Sequence, residues 1–194
     1  MRRITIIICL ALCIFYVNDA IAEPQWLIKM GIDMPGDYHV SGMGLSGTTD
    51  VETGFSVAGE FISNIKSQNN ISFGLGLEYQ IPRSQKELQG DFYFIPIYGL
   101  MKIHLNKINE ISPYLNFRLG YNLFDGDNNF KGTGLLRASL DGGLYYALGI
   151  GAITGRYYAM EITYSVNRGE GNIAGVGFDV EYSKVGLSIG YIFD

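Results

Sequence analysis

The chain has 194 residues, a net charge of −5, 26 glycines and 13% aromatic residues. This length suits one domain, and the acidic balance argues against general nucleic-acid binding, which needs a basic stripe. The many glycines and aromatic residues, with only 5 prolines, indicate β-structure rather than disorder.

The first 22 residues have the pattern of a secretion signal. Arg2 and Arg3 precede an apolar stretch (4–17), and an Ala-Ile-Ala cleavage motif ends at Ala22. The apolar stretch is shorter than the roughly 20 residues that a membrane-spanning helix needs. We therefore predict a signal peptide (1–22) followed by one domain (23–194). Cleavage would remove both cysteines of the chain, so we expect no disulfide and no thiolate metal site.

After the signal, eight runs alternate large apolar residues with small or polar ones. In one run, Tyr158, Met160 and Ile162 alternate with Ala159 and Glu161. Successive side chains of a strand point to opposite faces, so such a run predicts a strand with one apolar and one polar face. The predicted strands are 25–34, 50–62, 71–81, 92–105, 113–123, 143–153, 157–167 and 176–193.

The connections between these strands alternate in length. Bacterial outer-membrane barrels have an even number of strands, short periplasmic turns and longer external loops. The sequence therefore predicts an all-β fold, an eight-stranded antiparallel up-and-down transmembrane β-barrel in a Gram-negative outer membrane, with both termini in the periplasm. The short connections are 63–70, 106–112 and 154–156, and the mostly longer ones are 35–49, 82–91, 124–142 and 168–175.

The outward aromatic residues support this topology, because amphipathic rings favour the two membrane interfaces. The predicted periplasmic belt contains Trp26, Phe61, Phe73, Tyr158, Tyr191 and Phe193. The predicted outer belt contains Phe55, Tyr79, Tyr93, Tyr121, Tyr146 and Tyr164.

Two strands contain an irregularity. Pro96 lies inside the fourth strand, where it removes a backbone donor, so we expect a bulge near the outer rim. In the last strand the apolar residues change from even to odd positions after Tyr182, which predicts a second bulge near Ser183 and Lys184.

A soluble lipocalin-like barrel, with its apolar face turned inward around a ligand, is the alternative fold. Its outer face would meet water and should be rich in lysine and glutamate. In this chain the less apolar face consists mostly of Gly, Ser, Ala, Asn and Tyr, with about one charge per strand. That composition favours a crowded barrel interior and therefore the membrane barrel.

The segments Phe94–Lys102 (FIPIYGLMK) and Gly186–Phe193 (GLSIGYIF) resemble small eight-stranded outer-membrane β-barrels. This group includes the transmembrane domain of outer membrane protein A, outer membrane protein X and the opacity-type porin family. The likeness covers the mature chain, but it is architectural and includes no functional motif. Tyr191 and Phe193 resemble the carboxyl-terminal signal that the assembly machinery recognises, although that signal normally ends on the aromatic residue and here Asp194 follows.

Charged side chains on the inward face are predicted to form a network in the lumen. An eight-stranded barrel is only wide enough for side chains to fill its interior, and buried charges are costly unless they are paired. We expect salt bridges that close the lumen, with Arg118 paired to Glu78 or Glu161; a narrow ion path is the alternative. The eight residues, equally divided between acids and bases, are Lys29, Asp33, Glu60, Glu78, Lys102, Arg118, Glu161 and Lys184.

Three features of the sequence bear on chemistry beyond a structural role. Glu78 and Glu161 could act as an acid–base pair, but no substrate cleft is evident. The tripeptide His39-Val40-Ser41 resembles the His-x-Ser pair of lipid A deacylases, yet it lies in a predicted, mobile external loop. The segment 125–129 vaguely resembles a calcium loop but lacks the twelfth-position glutamate, which leaves at most a loosely held divalent ion that bridges to lipopolysaccharide.

The favoured function is a non-enzymatic outer-membrane barrel with a structural or surface-interaction role. The expected partners are outer-membrane lipid and lipopolysaccharide, the assembly machinery with its periplasmic chaperones, and a surface ligand of the external loops. We expect no catalytic residues, cofactor or metal, and no nucleic acid as a partner. A narrow passive transport pore is the alternative, and an enzyme that modifies lipid A is a distant one.

Overall fold

The computed structural model describes residues 24–42, 44–65, 68–85, 90–132 and 137–193. The predicted signal peptide, its cleavage site and Asp194 lie outside these ranges. Among the described residues, no helix is long and apolar enough to cross a membrane.

The described chain forms antiparallel strands and one short helix, α1 (Asn128–Lys131). The strands are β1 (Gln25–Asp33), β2 (Gly36–Gly42), β3 (Leu45–Val51), β4 (Gly54–Ile65), β5 (Gln68–Gln80), β6 (Arg83–Ser84), β7 (Asp91–His104), β8 (Ile111–Gly126), β9 (Ser139–Thr154), β10 (Tyr158–Ile173) and β11 (Val176–Phe193).

Eight of these strands close into a barrel. The order is β1-β4-β5-β7-β8-β9-β10-β11, and β11 pairs back onto β1 from Trp26↔Phe193 to Asp33↔Gly186. Every neighbouring pair is antiparallel. The predicted eight-stranded up-and-down barrel is therefore confirmed, and its first and last strands lie side by side.

Several predicted external loops are strands instead. The segment predicted as a loop at 35–49 forms the hairpin β2–β3, and β2 pairs with β11 from Asp37↔Ser183 to Ser41↔Asp179. β10 continues beyond its predicted end at 167 to Ile173, and it forms a hairpin with β11 around a tight turn in which both Ala174 and Gly175 have positive φ. This geometry suits glycine at the second turn position and fits the twist of a two-stranded hairpin.

The structure has no bulge between β7 and β8 at Pro96, but the ladder on the other side of β7 is irregular there: five residues (78–82) lie opposite four (93–96) between Leu77↔Ile97 and Arg83↔Phe92. Pro96 pairs in regular register with Asn122 of β8. On its other side, the β5–β7 ladder ends at Leu77↔Ile97, so the missing N–H of proline falls where no ladder continues. The short strand β6 occupies the outer part of this seam and pairs with the outer end of β7 through Arg83↔Phe92.

The predicted bulge near Ser183 and Lys184 is wrong. The β10–β11 register runs without a shift along the whole of β11, and the shift in this region lies between Asn167 and Gly169 on the β9 side of β10. Val180 and Tyr182 are buried inside the barrel, on the same face as Lys184. At the outer end of β11 the apolar residues occupy inward positions, because the interior of the barrel is apolar there. The backbone of β11 itself remains regular.

The outer face of the barrel is apolar along the ring strands. Outward residues of every ring strand are exposed, for example Met30 of β1, Leu119 of β8 and Ile189 of β11. Of the twelve aromatic residues predicted to form two belts, all but Phe61 and Tyr93 are exposed, and those two are half-buried. Such a surface suits contact with lipid rather than with water.

A mid-membrane outward residue should tolerate charge poorly. Leu148 of β9 is 54% exposed on the outer face, and we expect Leu148→Arg to destabilise the barrel in lipid by about 2–4 kcal/mol. Ile111 faces outward at the periplasmic end of β8, where Ile111→Arg should cost only about 0–1 kcal/mol. Urea titration of folding into lipid vesicles measures both, and equal costs would contradict the assigned depth of Leu148.

Candidate functional site

The middle of the barrel contains a buried charged cluster in which Glu60 of β4 is central. Its Oε2 lies 3.0 Å from Nζ of Lys102, its Oε1 lies 2.9 Å from Nη2 of Arg118, and it also pairs with Lys29. Arg118 also pairs with Glu161, and Lys29 Nζ lies 3.2 Å from Glu161 Oε1. Three cations and two carboxylates thus share one site that is closed to solvent.

A second cluster lies next to the first, closer to the external end. Lys184 Nζ lies 2.6 Å from Asp33 Oδ2 and 3.0 Å from Glu78 Oε1. Arg83 reaches inward from β6, and its Nη1 lies 2.9 Å from Asp33 Oδ2. The guanidinium also donates to the backbone carbonyl of Phe55, so Arg83 fastens the short strand β6 to both the barrel wall and the interior.

Tyrosine hydroxyls complete the partners of the carboxylates. Tyr98 donates to Glu60 over 3.1 Å, and Tyr114 donates to Glu161 over 3.2 Å. The same rings face cations, with the Arg118 guanidinium 5.3 Å from the centre of the Tyr98 ring. Charge-assisted hydrogen bonds and cation–π contacts both offset the cost of burying these charges.

Small residues on neighbouring strands make room for these long side chains. Glu60 lies opposite Gly76, and Glu161 lies opposite Gly151 and Ser188. A Cβ atom at Gly76 would overlap the Tyr98 ring. The alternation of large and small inward residues therefore lets the charged side chains converge on the barrel axis.

The charged section leaves little space for solvent. A cavity of about 30 Å³ is lined by Lys29, Asp33, Glu78, Arg118, Tyr145, Glu161 and Lys184, among others. This volume holds about one or two water molecules. On the periplasmic side, a wider vestibule of about 300 Å³ extends up to Lys102 and His104.

An aromatic cluster fills the interior at the external end. Phe92 and Phe94 of β7 pack against Tyr182, and the Phe94 and Phe124 rings stack with centres 4.5 Å apart. Tyr38 from the external strand β2 covers Phe92. Burial in this cluster raises the pKa of the Tyr38 hydroxyl above its ordinary value.

The structure brings together the eight charged residues singled out in the sequence. All are buried, Arg118 pairs with Glu161, and Glu78 pairs with Lys184 rather than with Arg118. Sequence reasoning missed Arg83, because its two-residue strand shows no alternation and lay in a predicted loop. It also missed the tyrosines as partners, since a tyrosine on a polar face gives no sign of what its hydroxyl contacts.

The residues considered for catalysis lie in two separate places. Glu78 and Glu161 line the small interior cavity, where each is held in an ion pair, and His39 and Ser41 line a groove at the external end. His39 Nδ1 lies 2.9 Å from Thr48 Oγ1. His104 hydrogen-bonds Ser72 at the periplasmic end. Within the described ranges, no three His, Cys, Asp or Glu side chains are arranged to hold a metal ion.

Comparison with known proteins identifies the fold. No family model and no curated protein sequence matches the chain. The chain is similar to the outer membrane protein OprG of Pseudomonas aeruginosa (TM-score 0.54, 16% identity, covering 90% of this chain and 97% of that one). It is also similar to Neisserial surface protein A, NspA (TM-score 0.53, 14% identity, covering 88% and 99%).

These likenesses, together with the closed ring and the apolar outer surface, define the class. The fold is that of the small eight-stranded β-barrels of Gram-negative outer membranes. The closed ring and the apolar outer surface are those of a barrel that spans a membrane.

Crowding at Gly76 gives a test of the interior packing. We expect Gly76→Ala to destabilise the barrel by about 1–3 kcal/mol, because the new methyl group overlaps the Tyr98 ring. Gly59→Ala is the matched control, since nothing lies within 4 Å of a Cβ there. Unfolding in urea measures both, and the Gly76→Ala penalty should shrink in a Tyr98→Leu background.

Proposed function

We propose that the chain is a non-enzymatic outer-membrane barrel whose lumen is closed by the interior ion pairs and whose external hairpins serve surface interactions. The observation that carries this proposal is the solvent volume of about 30 Å³ in the charged section. A hydrated ion needs a continuous water-filled path, so this small solvent volume supports a closed section.

The aromatic cluster supports a closed lumen independently. Phe92, Phe94 and Tyr182 fill the interior between the charged section and the external medium. Their rings pack edge-to-face and stacked against one another, with centres about 5.5 to 6.2 Å apart. Two consecutive sections, one ionic and one aromatic, would both have to rearrange before a solute could pass.

The proposed partners follow from the surface of the barrel. The outward apolar band meets outer-membrane lipid, and lipopolysaccharide surrounds the external end. Tyr191 and Phe193 lie exposed on β11, with the Tyr191 ring stacked on Tyr157, which supports their role as an assembly signal for the outer-membrane machinery. The hairpins β2–β3 and β10–β11 extend beyond the ring and offer the surface for an external ligand.

Removing Arg118 should destabilise the barrel strongly. Arg118→Ala leaves Glu60 and Glu161 with fewer partners, and breaking a buried pair in this way costs about 3–5 kcal/mol. Arg168→Ala is the matched control, because Arg168 pairs with Glu181 on an exposed surface, where loss of a pair costs about 0–1 kcal/mol. Urea unfolding in vesicles compares the two.

The same variants test closure in a planar bilayer. The parent protein should be nearly silent, and Arg118→Ala should allow a small conductance because it loosens the ionic section. Arg168→Ala should stay silent. A steady, ohmic conductance of the parent that Arg118→Ala leaves unchanged would contradict the closed lumen.

A narrow passive pore is the second candidate. The vestibule of about 300 Å³ favours it, because the vestibule gives small solutes access from the periplasmic end as far as Lys102. The conductance of the parent protein separates the two candidates directly.

The mature protein should begin at Glu23 and fractionate with the outer membrane. The Ala-Ile-Ala motif that ends at Ala22 supports this cleavage site. N-terminal sequencing of the protein from isolated membranes measures it. A sequence that begins at Met1, or recovery from the soluble periplasm, would contradict the signal peptide.

A further inference from the structure

A groove on the outer face of the barrel lies where β8 and β9 separate. The β8–β9 ladder ends at Tyr121↔Leu144, and beyond this end the Ala138 N–H donates to the Lys131 carbonyl at the end of α1. Between these parts lies an open groove of about 670 Å³. Its size is that of sites for small ligands.

The two ends of the groove differ in polarity. Ile95 and Leu123 form its membrane-side wall and belong to the outward apolar face. Tyr93, which packs against Tyr79 with ring centres 6.1 Å apart, belongs to the outer aromatic belt. Asp125 is the next outward residue of β8 beyond Leu123, so the groove crosses from the acyl-chain region to the headgroup level.

Two cations line the headgroup end, and only one of them is neutralised. Lys131 Nζ lies 2.5 Å from Asp125 Oδ1, and that carboxylate also accepts from the Gly126 N–H and the Tyr93 hydroxyl. Arg137 is exposed and has no ion pair or hydrogen bond with any residue of the described ranges. Over the described residues, this end of the groove therefore carries a net positive charge, and the Arg137 residue is exposed there.

We propose that this groove binds the phosphorylated headgroup of an outer-leaflet glycolipid of the lipid A class. Arg137 binds the phosphate together with Lys131, and an acyl chain lies along Ile95 and Leu123. The guanidinium fork suits a bidentate phosphate contact. This inference rests on the outer-membrane location of the barrel and not on whether its lumen is closed.

The polarity of the groove distinguishes this occupant from others. A free anion would use the cations but not the apolar wall, and a divalent cation would be repelled by Arg137. A lipid with a neutral headgroup would use the wall but leave Arg137 unpaired. Only an amphiphile with an anionic headgroup matches both ends of the groove. Its acyl chain would lie at the membrane-side end and its headgroup at the outer end.

The experiment measures binding of diphosphoryl lipid A to the membrane-purified barrel in detergent, by native mass spectrometry. We expect Arg137→Gln to weaken binding about tenfold through loss of a charge-assisted contact, and Arg137→Lys to weaken it less because the charge remains. Arg156→Gln, an exposed arginine in the periplasmic turn between β9 and β10, is the matched control and should leave affinity unchanged. Heat-modifiable gel mobility verifies that each variant is folded.

Two further probes separate the sources of affinity. Dephosphorylated lipid A should bind about as weakly to the parent as diphosphoryl lipid A binds to Arg137→Gln, and inorganic phosphate should not displace diphosphoryl lipid A. Equal affinities of the parent, Arg137→Gln and Arg156→Gln would overturn the proposal. So would displacement by inorganic phosphate, which would indicate an anion site without a lipid, or the absence of any lipid A binding by the parent.

Discussion

Closure of the hydrogen-bond ladder between β1 and β11 is the constraint on which the rest of this structure depends. Hydrocarbon offers no partner to a free N–H or C=O group, so a sheet can span a membrane only when its first and last strands pair. Here that pairing runs from Trp26↔Phe193 to Asp33↔Gly186. With eight strands in the ring, the interior is only as wide as the side chains that fill it.

The narrow interior forces inward charges to meet each other. Glu60 has three cations as partners, because Lys29, Lys102 and Arg118 approach it from different strands. Desolvation makes such a cluster a weak source of stability compared with apolar packing, but removal of one member leaves an uncompensated charge. The network therefore constrains which side chains can occupy these positions. Its contribution to the stability of the fold is smaller than that of apolar packing.

The polarity of the barrel reverses along its axis. Within the membrane, apolar residues such as Leu148 face outward and charges face inward. Beyond it, the exposed pair Arg168–Glu181 faces outward, while Phe92 and Tyr182 fill the interior. The outer end is therefore organised like a soluble β-protein, with an apolar core and a polar surface.

Sequence periodicity by itself determined the number of ring strands, the faces within the membrane and the inward position of eight of the nine charges buried in the described barrel, because side-chain alternation is a local property of a strand. The tertiary structure decided what each inward residue contacts: Arg83 enters from a segment without periodicity, and Glu78 pairs with Lys184, 106 positions away. It also decided that Val180 and Tyr182 face inward on a regular strand. Apolar residues of this strand face outward within the membrane, but they face inward at the outer end of the barrel. The sequence pattern indicates which residues share a face of a strand, but only the closed barrel determines what that face contacts.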